Sequence, residues 1–424
     1  MKIQANRFFF LILNSSFLIL NFSCSTPGNI QNQNLSYLYR KNKQHFTAEF
    51  SVWHFSSDSS QLFIRLDPKE FLYKRSGDFF TAEISVGYRL VESYESPLVI
   101  DSASKKFVLQ KKENPLPVAV NLEFRSARQA EMLLECKITD VNKSITDIFY
   151  LNVDRSTEQS RNYFRVASPN EEVPFFSYQI SATDSFRILH KDTSFKNLTV
   201  HYYHRNFPLA APPFSFDYHE SFDYKPDSIF AIEIGEGKIF SFPGEGFYHV
   251  QKDTTIKPGL TLFRFHSDFP DLTNPEQLLE PIRYLTTRRE FEEMKRNKDY
   301  KKAVDEFWLE TGGNPERTRH LIKKYYSRVQ FANENFTSYH EGWKTDRGLI
   351  YIIFGPPHMI YRTSKTEAWI YGEASAAMAL NFSFIKVINP FTDNDYTLSR
   401  APIYEANWYR AVDMWRQGRV YNDF

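Results

Sequence analysis

The chain is poor in glycine, with 15 in 424 residues, and carries only two cysteines. Scarce glycine excludes repetitive glycine-rich folds, and two cysteines exclude a disulfide framework. The formal net charge of +1 removes any general electrostatic attraction to nucleic acid, and runs such as TTRREFEEMKRNKDYKK interleave both signs. The phosphate-loop sequence is missing too: Gly355 is followed by two prolines, with no Gly-Lys-Ser/Thr. What is abundant is aromatic. Forty Phe and twenty-five Tyr favour packed cores and pleated surfaces, and the length favours two or three domains.

The chain opens with Lys2 and Arg7 ahead of FFFLILNSSFLILNF. A charged start and an apolar middle, interrupted at Asn14–Ser16, describe an export signal over 1–23 rather than a bilayer-spanning helix. Leu20, Asn21, Phe22, Ser23 and Cys24 resemble the end of a bacterial lipoprotein signal, and the resemblance implies lipidation at Cys24. The polar, uncharged residues that follow make 24–42 a flexible tether. Met132, Leu134, Cys136 and Ile138 alternate with Glu131, Leu133, Glu135 and Lys137, which puts Cys136 on the more apolar side of a strand and predicts a buried thiol without a nucleophilic role.

From 43 to 155 the period is two. Phe80, Ala82, Ile84, Val86, Tyr88 and Leu90 alternate with polar residues, and similar signals recur at 48–53, 62–66, 118–124, 132–138 and 145–153. These predict an antiparallel β-sandwich, with an immunoglobulin-like topology open. A second β-rich region is expected over 156–270, with strands at 176–181, 198–203, 229–234, 246–251 and 260–265. Pro208, Pro212 and Pro213 mark a loop within it.

The character then changes. Asn274–Pro275 and Asn314–Pro315 each place a capping side chain before a proline at the first helical position. Several helices are expected, followed by EGWKTDRGLIYIIFGPP at 341–357. Here Gly342 and Trp343 make a packed turn, Thr345 and Asp346 bond nearby backbone, and Arg347 and Gly348 lead into a strand over 349–354 that Gly355 and Pro356 terminate. With strands at 368–371 and 380–388 this predicts a small antiparallel sheet. Tyr404, Trp408 and Trp415 fall on one face of a last helix. The expected fold class is mainly β followed by α+β, with the last domain over 271–424.

Gly342, Trp343, Thr345 and Asp346 reproduce the pattern that names the GWxTD-domain family, and FW at 307–308 and YSRVQFAN at 326–333 extend the likeness over the last third. The resemblance implies an exported bacterial protein, of a kind found as lipoproteins in Bacteroidetes, with no reaction and no catalytic residues to carry over. Each motif residue has a sufficient structural role, and an Asp–Arg pair beside a turn is more often a cap or salt bridge than an acid–base pair. His201 and His204, three apart on a strand, face opposite sides and make a poor metal pair even with His190 and His219. No metal and no cofactor are expected.

The expected function is a non-catalytic, membrane-anchored envelope lipoprotein that scaffolds or binds other envelope proteins, at the outer rather than the inner membrane. It has no nucleic-acid role. Candidate interfaces are the helix of Tyr404, Trp408 and Trp415 and the loop of Phe216 and Tyr218. The alternatives are an envelope hydrolase using the Asp346 region and a glycan-binding protein using the loop around Tyr218.

Overall fold

The computed structural model describes residues 28–40, 43–169, 173–216, 222–372 and 379–422. The export segment and Cys24 lie outside the described residues.

The first domain is a sandwich of eight strands, β1 Ala48–His54, β2 Ser59–Leu66, β3 Lys74–Ser76, β4 Phe79–Val91, β5 Val99–Gln110, β6 Val118–Arg125, β7 Glu131–Asp140 and β8 Ile145–Asp154. One sheet has the order β1-β2-β6. In the other, β4 lies between β5 and β7, β8 pairs with β7, and β3 adds to the start of β4. All pairings are antiparallel. The alternating apolar side chains meet between the sheets, with Ile64, Ile84, Val86, Leu90, Phe124, Leu134 and Cys136 excluded from water. Burial holds the Cys136 thiol well above its usual pKa, so it stays protonated. Strand β5 escapes sequence reading because its middle, DSASKK, has no apolar face. It forms through its backbone ladder to β4.

The middle region holds β9 Phe164–Ala167 paired with β10 Arg187–His190, and then β11 Asn197–Tyr203, β12 Ser228–Glu233, β13 Gly246–Gln251 and β14 Leu260–Arg264 in the order β12-β11-β13-β14. The strand expected at 176–181 is absent. Its backbone makes only isolated bonds, Ile180 N–H to the Phe263 carbonyl and Phe263 N–H to the Tyr178 carbonyl, both at 2.8 Å.

The C-terminal domain begins with α1 Pro275–Leu279, α2 Arg288–Arg296, α3 Tyr300–Gly312 and α4 Pro315–Phe336. Asn274 and Asn314 cap α1 and α4 through side chains that accept the third backbone N–H, with proline in first position. Residues 349–354, expected as a strand, instead form most of α5, Asp346–Phe354. All nine residues of α5 are buried, so it has no polar face to impose a helical period. A short, wholly apolar run cannot be told from a buried strand by pattern. The Thr345 cap decides for helix. The sheet that follows is a meander of β15 Met359–Arg362, β16 Thr366–Tyr371, β17 Leu380–Lys386 and β18 Tyr396–Leu398, and α6 Glu405–Arg416 closes the domain.

The described part of the expected tether, residues 28–40, is also a correction. Ile30, Leu35 and Tyr39 are buried in the C-terminal core, and the Leu35 N–H donates to the Ile360 carbonyl at 2.9 Å. The Asn34 amide bonds both ways along β15, accepting from Ile360 N–H at 3.1 Å and donating to the His358 carbonyl at 3.3 Å. A composition of Asn, Gln and Ser suggests solvation, yet three apolar side chains at suitable intervals suffice to fasten the segment.

Candidate functional site

The motif sits where α4 turns back into α5. Gly342 lies flat on α4: a Cβ there would be 1.9 Å from the Ala332 carbonyl oxygen, and one on Gly348 would be 2.0 Å from the Gly342 carbonyl oxygen. These two absences of a side chain let the turn and the first turn of α5 stack. Trp343 is buried beneath them, its backbone N–H donating to Asn333 Oδ1 at 3.2 Å and its backbone carbonyl accepting from the Tyr284 hydroxyl at 3.0 Å. Thr345 Oγ1 accepts the Gly348 N–H at 3.0 Å and donates to the Gly342 carbonyl at 2.7 Å, capping α5 and tying it to the turn at once. Gly355, with φ of +80°, ends α5 beside the Arg328 guanidinium, which donates to the Ile352 carbonyl at 3.1 Å and the Tyr421 carbonyl at 2.7 Å. Pro356 then leads the chain towards β15.

The charged residues of the motif are equally committed. Asp346 is paired with Arg400 and accepts the Leu398 N–H at 2.7 Å, fixing α5 to the end of β18. Arg347 donates to the Asn394 carbonyl at 2.8 Å, stands 3.5 Å from Glu367 and lies 4.1 Å from the Tyr396 ring centre. Glu367 is fully buried. Burial pushes its pKa up, but Arg362 at 3.0 Å and Arg347 outweigh that and hold it below its ordinary value, with the Trp369 N–H donating at 2.7 Å. Tyr39 of the N-terminal segment accepts from Arg362 at 2.6 Å. Burial lowers His340 to about 4, so it is neutral near pH 7, while Glu341 pairs with Lys344 at 2.9 Å. His358 lies beyond the opposite end of α5, where its Nδ1 accepts the Gly372 N–H at 2.9 Å. His340, Glu341, Asp346 and His358 therefore do not converge on the cleft beside the motif.

Residues 246–417 match the family model described as the GWxTD domain. The chain carries a GWxTD domain over those residues. No curated protein matches the chain. Among solved structures it is similar to the crystal structure of red sea bream transglutaminase at 10% identity, covering 53% of this chain and 32% of that one with a TM-score of 0.17. The chain thus spans about a third of that enzyme, and at that score the likeness carries no argument.

The open space lies beside the GWxTD motif. A cleft of about 490 Å³ runs between the sandwich, the middle region and the GWxTD domain, walled by Tyr94, Asn152, Arg161, Tyr178, Arg347 and Asp393 among others. Arg161 pairs with Asp393, and the Asn152 amide donates to the same carboxylate at 3.0 Å. Of the motif, only Arg347 reaches the cleft. Sequence reasoning missed Arg161, Asp393 and Asn394, because FTDNDY at 391–396 reads only as a polar connection.

The remaining candidates separate. Trp408 and Trp415, expected as interface residues, are buried in the GWxTD core, with the Trp415 N–H donating to the Ile353 carbonyl at 3.0 Å and the Arg328 guanidinium 5.2 Å from its ring. Their amphipathic stripe already has a partner in α4 and α5 of the same chain. Tyr404 packs on Phe382 and donates to the Asn381 carbonyl at 2.8 Å. The proline loop docks under the motif, where Ala210 N–H donates to the Lys344 carbonyl at 3.1 Å and Arg400 to the Ala211 carbonyl at 3.2 Å. Phe216, 71% exposed, stands clear of it. Tyr218 and His219 lie outside the described residues. His190 is buried against the Glu158 carbonyl at 3.2 Å, and among the described residues no cluster of His, Cys, Asp or Glu could hold a metal ion.

Proposed function

We propose that this GWxTD protein is a non-catalytic, lipid-anchored envelope protein that acts as a scaffold or interaction module. The observation that carries the non-catalytic reading is the Asp346–Arg400 pair. The motif's one carboxylate is buried, paired with Arg400 and bonded by the Leu398 N–H and the Thr397 hydroxyl, and it does not line the cleft. Removing one member of such a buried pair leaves the other uncompensated. Asp346→Asn is therefore expected to lose about 3–5 kcal/mol of stability, and Asp346→Asn with Arg400→Met to recover part of it. A folded Asp346→Asn protein of normal stability that loses hydrolysis of an envelope substrate would establish the hydrolase instead. Attachment through Cys24 is tested by fatty-acid labelling in cells against Cys24→Ala, and the partner by crosslinking intact cells.

A glycan-binding reading draws on one observation, the exposure of Phe216 beside the docked proline loop. Retention on an immobilised glycan that disappears in Phe216→Ala would favour it over a protein partner.

A further inference from the structure

Residues 28–40 do more than lead into the sandwich. Leu35 and Tyr39 lock them into the GWxTD core, and at their start the Gln31 N–H donates to the Tyr94 carbonyl at 3.0 Å. That bond seats the segment on the 92–98 connection of the sandwich. The turn between β15 and β16 is tied to the same place: Ser364 donates to Glu95 Oε1 from its N–H at 2.7 Å and from its hydroxyl at 2.9 Å. Three pieces of chain distant in sequence thus form one braced corner. It also carries exposed Leu98 and Val99, and its Glu92 is neutralised by Arg128 at 2.7 Å.

Four residue steps separate Cys24 from Gly28, the first described residue. A trans chain covers at most about 3.6 Å per residue, so a lipid-bearing Cys24 lies within about 14 Å of Gly28, however the intervening residues run. We propose that this corner is the membrane-facing surface of the protein and rests against a phospholipid bilayer, an inference that depends on attachment through Cys24. The fold supplies a ruler for it. Strand β5 starts at Val99 beside the corner and runs twelve residues to Gln110, which at about 3.4 Å per residue puts the 111–117 connection about 40 Å from the corner. A free tether of nineteen residues would let the body tumble above the membrane, whereas a four-residue leash on a fastened segment does not.

The test uses the chain from Cys24 onward, joined through the Cys24 thiol to a maleimide phospholipid in vesicles of phosphatidylethanolamine and phosphatidylglycerol. Cys136 is buried and does not compete. A fluorescent amino acid is placed at Ser96 or at Glu113, and the vesicles contain a nitroxide-labelled lipid as quencher. Emission from Ser96 is expected to be quenched several-fold more than emission from Glu113. Equal quenching, or more at Glu113, overturns the orientation. Fatty-acid labelling in cells reports separately on the anchor: labelling that survives Cys24→Ala overturns attachment through Cys24 even if the vesicle result holds, whereas labelling lost in Cys24→Ala together with equal quenching overturns the orientation alone.

Discussion

Arg161, just beyond the last strand of the sandwich, closes on the carboxylate of Asp393 in the GWxTD domain, and Asn152 of β8 bonds the same group. One carboxylate therefore joins the sandwich, the middle region and the GWxTD domain at the wall of the cleft. About a third of the Asp393 side chain is exposed, so its pairing lies between a surface and a buried ion pair in strength.

Asp393→Asn is expected to destabilise the protein by about 2 kcal/mol and to speed proteolysis between domains. Burial opposes ionisation of Asp393, but Arg161 and Asn152 overcome it and hold the pKa below the ordinary carboxylate range. A depressed pKa gives stability that is present above the unfolded value and is lost as pH falls through the folded one. Urea midpoints of the wild type should therefore drop as pH is lowered below about 4, and those of Asp393→Asn should drop less.

Asp395, two residues on, has the opposite sign. Burial raises it to about 6, against the pull of Arg347 and a 3.0 Å bond from the Asn389 amide. A raised pKa means the folded state holds its proton more tightly, so its contribution is fully present below the unfolded value and is lost as pH rises from about 4 to about 6. Ionisation at pH 7 then costs about 2–3 kcal/mol. Asp395→Asn should be neutral or stabilising at pH 7 and should flatten that part of the pH–stability curve.

Trp343→Ala removes a buried ring that packs edge-on against Tyr284 while leaving the backbone bonds to Asn333 and Tyr284 in place, and is expected to cost about 3–5 kcal/mol by thermal or chemical unfolding. Gly342→Ala tests the close approach directly. Its Cβ would have to displace the Ala332 carbonyl, a backbone atom, so a loss at least as large is expected, with a low yield of soluble protein. A stable Gly342→Ala protein would contradict the stacking of the turn on α4.

The N-terminal segment should behave as part of the GWxTD core. Leu35→Ala is expected to cost about 2–5 kcal/mol. A protein lacking residues 28–40 should lose protection from hydrogen exchange in β15 and β16 first, because β15 then becomes an open edge.

The sequence by itself determined those parts of the fold that depend on local chemistry. Period-two alternation at Ala82, Ile84, Val86 and Leu90 specified a half-buried strand, since each such side chain must leave water on the same face. The Asn-Pro pairs specified helix starts, because the cap and the missing N–H act within one turn. Tertiary structure alone decided the rest. LIYIIF is buried on every side, so no polar face records its helical period and only the Thr345 cap marks it locally, and whether Trp408 and Trp415 face a partner depended on where α4 and α5 lie. The fastening of residues 28–40 and the meeting of Arg161 with Asp393 join positions far apart in the chain. Such contacts depend on how the domains pack, and no local pattern records them.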